Sequence, residues 1–283
     1  MGEEANPGAG PVSWPVVSRA ELYAEGWTWR RIEQAVAAGS LCRARRDAYL
    51  PGEVDAQTRA AAEVGGQLTC LSELARRGVF VLATGGLHVR VHPRRGRRRP
   101  VHPDARVHWS GDGLRRTANA PLVEALAAAA RCQGPMETIA SLDSALHRRL
   151  IDEDDLAEIF RMLPRRYRAL RAFLDRSAEA GSESIVRILL RKMGCRVECQ
   201  VQIAGVGRVD LLVDGWLIVE CDSEAHHASW AQQKEDRRRD QAAAALGYVT
   251  YRPIAEDIFW HRDRVLAAVR GLRGSTRAAR RHA

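Results

Sequence analysis

Lysine is nearly missing from this sequence: Lys192 and Lys234 are the only two, so arginine carries almost all of the net charge of +9 and the pI near 9.8. Arginine presents a planar fork of donors that suits phosphate, where lysine is a point charge. The excess has two readings, an arginine-favouring codon bias and affinity for phosphate backbones. Long apolar runs are also missing. No stretch of about 18 apolar residues occurs, which excludes a membrane-spanning helix. The first residues are rich in Gly, Pro and Glu and lack the apolar segment of a signal peptide. Close cysteine pairs are scarce. Of Cys42, Cys70, Cys132, Cys195, Cys199 and Cys221, only Cys195 and Cys199 are near each other, with no second pair at zinc-site spacing. Buried thiols are therefore expected rather than a metal knuckle. These absences fit a reduced, cytoplasmic protein with no membrane partner.

What remains is ample for folding. Hydrophobic residues make up 46% of 283 positions, enough for the cores of two or three domains. Residues 1–13 read as a disordered lead-in. Ser18-Arg19-Ala20-Glu21 has the form of a capping box and opens a short helix ending at Gly26. Thr28 caps a second helix, with Trp29, Ile32 and Val36 on one face and Arg30, Arg31 and Gln34 on the other. Leu41 to Leu50 reads as a hairpin with arginines at its tip. Helix, turn, helix and basic hairpin is the order of a winged helix over 14–60, in which Arg30, Arg31, Arg43, Arg45 and Arg46 would meet nucleic acid. A small helical adaptor with solvated arginines has the same pattern.

The region 61–178 reads as mixed α/β and helical. Strands are expected at Leu87 to His92 and Val101 to Trp109, around a basic loop at 93–100. An alanine-rich helix begins at Pro121, and further helices fall at about 135–149, 152–163 and 165–176. Asp143 and His147 read as surface or packing residues. Ser177 to Gly181 is a small-residue linker. Beyond it, over 179–272, the order becomes helix, three strands, helix, strand, helix, with a final helix ending near Leu272 and a basic, disordered tail over 273–283.

This last region carries the chemistry. Arg208 to Asp222 is two apolar runs around Asp214-Gly215, a tight-turn signal. Asp210, Glu220 and Asp222 interrupt those runs, and a buried carboxylate costs several kcal/mol unless paired or metal-bound. Glu183 shares a helix face with Val186, Leu190 and Met193, which aims it at the sheet. Acids from one helix and two strands form the donor set for Mg²⁺ or Mn²⁺, with Asp210 and Glu220 as ligands and Glu183 on a second ion or its water. His226 and His227 follow as candidate general acids or phosphate contacts. Arg239 and Asp240 either pair among themselves or anchor the site from behind. The pleat imposes a condition. A two-residue turn at Asp214-Gly215 sends Asp210 and Glu220 to opposite faces, whereas a three-residue connection, 214–216, sets them opposite each other. The odd-numbered connection is expected.

Ser182-Glu183, Arg208-Val209-Asp210, Val219-Glu220-Cys221-Asp222, His226-His227, Asp236 with Arg239-Asp240, and Gly247-Tyr248-Val249 with Arg252 together resemble the very-short-patch-repair-like (Vsr-like) branch of the PD-(D/E)xK endonucleases. Asp222 stands where the wider superfamily has Lys. The resemblance implies a restriction-endonuclease-like mixed sheet flanked by helices. It also implies Mg²⁺- or Mn²⁺-dependent cleavage of DNA, with Glu183, Asp210, Glu220, Asp222, His226, His227 and Arg239 in the catalytic set. Residues 14–110 are similar to the winged-helix front of AbiEi-type antitoxins, which implies DNA binding and a toxin partner or homodimer. A non-catalytic regulator that uses the nuclease fold as a scaffold is the alternative, and an RNA-directed nuclease a third reading.

Overall fold

Local capping chemistry starts the first elements. Ser18 Oγ accepts from the Glu21 amide at 3.2 Å while the Glu21 carboxylate accepts from the Ser18 amide at 2.8 Å. That closes a full capping box on α1 (Arg19–Ala24). Thr28 caps α2 (Trp29–Ala37) through the Arg31 amide. In the computed structural model, which describes residues 13–93, 102, 104–110, 116–221 and 230–281 (the side chains of 231–232 and 275–281 excepted), the chain is mixed α/β and nearly half helical, with three small sheets. It divides into two units, Met1–Gly134 with Ile151–Arg168, and Pro135–Leu150 with Ala169–Ala283.

In the first unit α2 leads into an antiparallel hairpin, β1 (Leu41–Arg45) and β2 (Ala48–Pro51), with a register irregularity between Arg43 and Arg45. Leu22, Ile32, Leu41 and Tyr49 form the core beneath it. Trp29 departs from the expected face and is 57% exposed. The residue before the cap, Trp27, packs on the Ile32 cluster instead, as a hydrophobic staple does. Asp55 caps α3 (Ala56–Val64), and β3 (Gln67–Leu68) and α4 (Cys70–Arg76) follow. A three-stranded sheet joins β3 antiparallel to β4 (Leu87–Val91) and β4 parallel to β5 (Ala105–Trp109). Leu87, Val89 and Val91 turn one face of it toward Ala61 of α3. Residues 94–100 of the basic loop, with Val101 and Pro103 of the strand expected at Val101 to Trp109, lie outside the described residues. Glu73 of α4 is fully buried, yet it holds Arg76, Arg77 and Asn119 at 2.7–3.0 Å.

After α5 (Leu122–Ala129) the chain runs into α6 (Pro135–His147) of the second unit, then returns with α7 (Glu153–Met162), which Asp152 caps. The segment expected as an α-helix from 165 is a 3₁₀ helix, Arg165–Phe173. The second unit is built on α8 (Gly181–Lys192), buried from Gly181 through Leu190. A helix buried on all sides needs partners all round, and α6, α10 and the sheet provide them. Of the two residues read as surface or packing, His147 is exposed and Asp143 of α6 is a packing residue with polar partners. It is fully buried and pairs with Arg187 of α8 at 2.6 Å, while accepting from Ser184 Oγ and the Asp175 amide. Burial pushes the Asp143 carboxyl up to about 6 against the pull of Arg187.

The sheet of this unit has the order β6 (Val197–Ile203), β7 (Gly207–Val213), β8 (Leu217–Val219), β9 (Val249–Tyr251). The first three strands are an antiparallel meander, and β9 joins β8 in parallel after the crossover helix α9 (Trp230–Ala245). Ala243 of α9 packs on Ile203, Val209 and Ile218. α10 (Ala255–Trp260) and α11 (Arg262–Arg281) close the chain. α11 runs past the expected stop near Leu272, so the basic tail is helical to Arg281. Gly271 and Gly274 are isolated in an Ala- and Arg-rich stretch that favours helix, and neither is followed by proline.

Candidate active site

The connection between β7 and β8 decides the geometry. Val213 pairs with Leu217, Leu212 with Ile218 and Leu211 with Val219, so the connection is the three residues 214–216. Asp214 and Gly215 both take left-handed backbone there, and the Asp214 carboxylate accepts from the Arg196 amide at 2.8 Å. One step beyond the last pair, Asp210 and Glu220 stand opposite each other. The Asp210 amide reaches Glu220 Oε2 at 3.4 Å, and the Cys221 amide donates to Asp210 Oδ2 at 2.8 Å. The two-residue turn, which would separate the two acids, is not formed.

Glu183 enters from the first turn of α8 and is 4% exposed. Its carboxylate accepts from the Glu179 and Ala180 amides, both at 3.1 Å, and so caps its own helix. It also accepts from Gln200 Nε2 at 2.7 Å. Gln200 is the residue that pattern reading missed. It lies in β6 across from Asp210, takes a left-handed φ of 53° in the middle of a strand, and its amide stands between Glu183 and Asp210 Oδ1, 3.5 Å from the latter. Nothing in V-E-C-Q-V-Q-I signals such a conformation; a non-glycine residue held there stores strain that the surrounding structure must support. Arg208 Nε donates to the Gln200 side-chain oxygen, Oε1, and Arg208 pairs with Glu179.

On the other side Arg239 of α9 donates to Glu220 Oε1 at 3.3 Å, to the Arg208 carbonyl at 2.6 Å and to the Val206 carbonyl at 3.3 Å. Asp240 pairs with Arg252 at 3.1 Å rather than with Arg239. The two residues therefore do not pair with each other; Arg239 bonds Glu220, and Asp240 bonds Arg252 of the segment after β9. Burial pushes the Glu183 carboxyl up to about 7, with the like charges of Asp210 and Glu220 adding to it and the Gln200 bond opposing. Glu220 is also raised, by burial first and then by Asp210, while Arg239 pulls it down.

Asp222, His226 and His227 lie outside the described residues. In the first unit Arg30, Arg31, Arg43, Arg45 and Arg46 are all exposed. Arg31 stacks over Trp27 at 4.2 Å, and Arg43 lies 4.0 Å from Glu33. Glu183, Asp210 and Glu220 do not form a group whose ligand atoms all lie within 4.8 Å of one another. Among the described residues, the group whose ligand atoms all lie within 4.8 Å of one another is Cys70, His88, His108 and Cys132. No helix among the described residues is long and apolar enough to cross a membrane. No protein-family model and no curated protein matches the chain.

Proposed function

We propose that the second unit hydrolyses phosphodiester bonds in DNA with Mg²⁺ or Mn²⁺, as a restriction-endonuclease-like domain of the Vsr-like kind. The observation that carries this reading is the opposition of Asp210 and Glu220 across a three-residue connection, with Glu183 beside them. The donor set suits a hard divalent cation. It is made of oxygens, two of its carboxyls resist ionisation where they sit, and the contact to Asp210 Oδ1 is a long one that a cation can replace. Asp210 and Glu220 would hold the metal, which when bound polarises the phosphoryl group and acidifies water.

The chain's own residues do the rest. Arg239 bonds the Glu220 carboxylate and would offer its guanidinium to charge developing on a phosphate held beside it. Glu183, titrating near neutrality, can take a proton from an attacking water. Gln200 holds Glu183 in place. The first unit, with exposed arginines on a helix–helix–hairpin order, would bind duplex DNA as a winged helix does.

A second reading has its own support. Every acid of the trio already has a partner within the protein, as expected of a scaffold in an antitoxin-like DNA-binding regulator. Plasmid and nicked DNA incubated with Mg²⁺ or Mn²⁺ separate the two. Cleavage that falls by about a thousandfold in Asp210→Asn, a loss of about 4 kcal/mol in transition-state stabilisation, supports the nuclease. Absence of cleavage of DNA and RNA with either metal removes it, and a promoter footprint indifferent to chelator then favours the regulator.

A further inference from the structure

Four side chains that the acid site does not use meet in the first unit. Cys70 is the first residue of α4, His88 lies on β4, His108 on β5, and Cys132 just past the end of α5. His88 Nδ1 is 3.0 Å from His108 Nε2, and Cys132 Sγ is 3.9 Å from the same Nε2. All four ligand atoms lie within 4.8 Å of one another. A tetrahedral zinc with bonds of about 2.0–2.3 Å separates its ligand atoms by about 3.3–3.8 Å, so adjustments on the order of 1 Å bring the group to bind one.

The backbone is arranged to make this meeting. His88 pairs with Arg106, and Arg90 with His108, so the two imidazoles are diagonal neighbours on the face opposite Leu87, Val89 and Val91. Gly86, with φ of 118°, lets the start of β4 approach β5, since a Cβ there would stand 2.7 Å from the Asp104 carbonyl oxygen. Cys70 takes a left-handed φ of 53°, a strained conformation for a residue with a side chain. His88 Nε2 lies 2.9 Å from the Thr84 carbonyl, which can only accept, so the ring proton is on Nε2 and the lone pair is on Nδ1, facing the cluster. A metal-bound histidine is commonly oriented in this way.

We infer that Cys70, His88 through Nδ1, His108 through Nε2 and Cys132 form a closed, tetrahedral Zn²⁺ site that ties α4, β4, β5 and the end of α5 together. Four protein ligands leave no position for substrate, which makes the site structural. Two thiolates select a softer ion than the Mg²⁺ or Mn²⁺ proposed for the acids. Cys70 and His88 are buried, while His108 and Cys132 are half-buried and leave an entry path.

The full chain, freed of any purification tag and dialysed against zinc, should carry about one metal equivalent by mass spectrometry of its metals. With Co²⁺ instead, it should show thiolate-to-cobalt charge transfer and the intense d–d bands of a tetrahedral ion. Cys132→Ser and His108→Asn change the half-buried ligands, and each should lose most of that metal to a competing chelator, whereas Asp210→Asn keeps it. The inference is overturned if the wild-type chain holds less than about a tenth of an equivalent, well short of full occupancy. It is equally overturned if both thiols react with a thiol reagent at the same rate with and without zinc. A Cys70–Cys132 disulfide in fresh protein that takes up no zinc after reduction overturns it too.

Discussion

The two units gather opposite kinds of ligand. The second brings three carboxylates to one end of a sheet, where burial and the neighbouring like charges resist ionisation of Glu183 and Glu220, and it steadies these two with Gln200 and Arg239. The first brings two thiols and two imidazoles into a tighter group with no acid among them. Oxygen donors suit a hard cation such as Mg²⁺, which keeps waters of its own, whereas two sulfurs and two nitrogens suit a tetrahedral ion that stays. The comparison yields a rule for this chain: metal removal should unfold the first unit and only disarm the second.

The largest expected effect tests that rule directly. A structural zinc contributes its binding free energy to folding, so stripping it, or Cys70→Ala, should lower the melting temperature of the first unit by about 10 °C or more in calorimetry. Asp210→Asn should leave that transition where it is. If chelation leaves both transitions unmoved, the first unit has no resident metal and the contrast between the units is gone.

A smaller effect asks what the second unit uses in place of such a staple. Asp143 and Arg187 are both fully buried and bonded to each other. Arg187→Leu leaves the Asp143 carboxylate in the interior without its counter-charge and should cost the second unit about 3–5 kcal/mol in urea unfolding. Replacing both residues by apolar ones of similar volume should cost less than the single change. A single variant as stable as the wild type would mean that Ser184 and the Asp175 amide suffice to hold Asp143, and that the ion pair is not the second unit's counterpart to the metal.

The two sites differ as much in how visible they were from sequence. The acid site was legible because its parts are close in the chain and periodic: Glu183 by helix phase, Asp210 and Glu220 by strand parity, and the 214–216 connection by the demand that both acids face one side. The Cys/His group was not, because its members are separated by 17, 19 and 23 residues and lie on three elements and a turn. A rule that looks for close cysteine pairs passes over it. Gln200 was invisible for another reason, since its role depends on a backbone angle that its residue type does not announce. The Asp143–Arg187 pair depends on α6 leaving its neighbours in sequence for the second unit, a tertiary choice that helical periodicity alone does not encode. Local fold signals fared better. Both caps, the hairpin and most strands fell where capping and alternation placed them, while Trp29 is exposed and Trp27, before the cap, packs on the Ile32 cluster.

The smallest effect separates an acid site poised for a cation from one that is merely buried. The Glu183 carboxyl titrates ordinarily at 4.5 and in the folded protein at about 7. Between these values the native state binds the extra proton, so stability is highest below 4.5, falls as pH rises toward 7, and stays low above it. Glu183→Gln keeps one acceptor oxygen, for either the Glu179 or the Ala180 amide, and has no charge to acquire. Its stability relative to the wild type should therefore climb by about 2–3 kcal/mol from pH 4.5 to pH 8 in metal-free urea titrations, whatever constant offset the substitution adds. Mn²⁺ supplied to the wild-type protein at pH 8 should recover part of that difference, because a cation that binds only the folded, ionised site shifts the equilibrium toward it. A difference that is flat with pH would show that Glu183 ionises freely where it lies. A slope that Mn²⁺ leaves untouched would mean that the second unit, unlike the first, gathers its ligands for the helix cap and the sheet rather than for an ion.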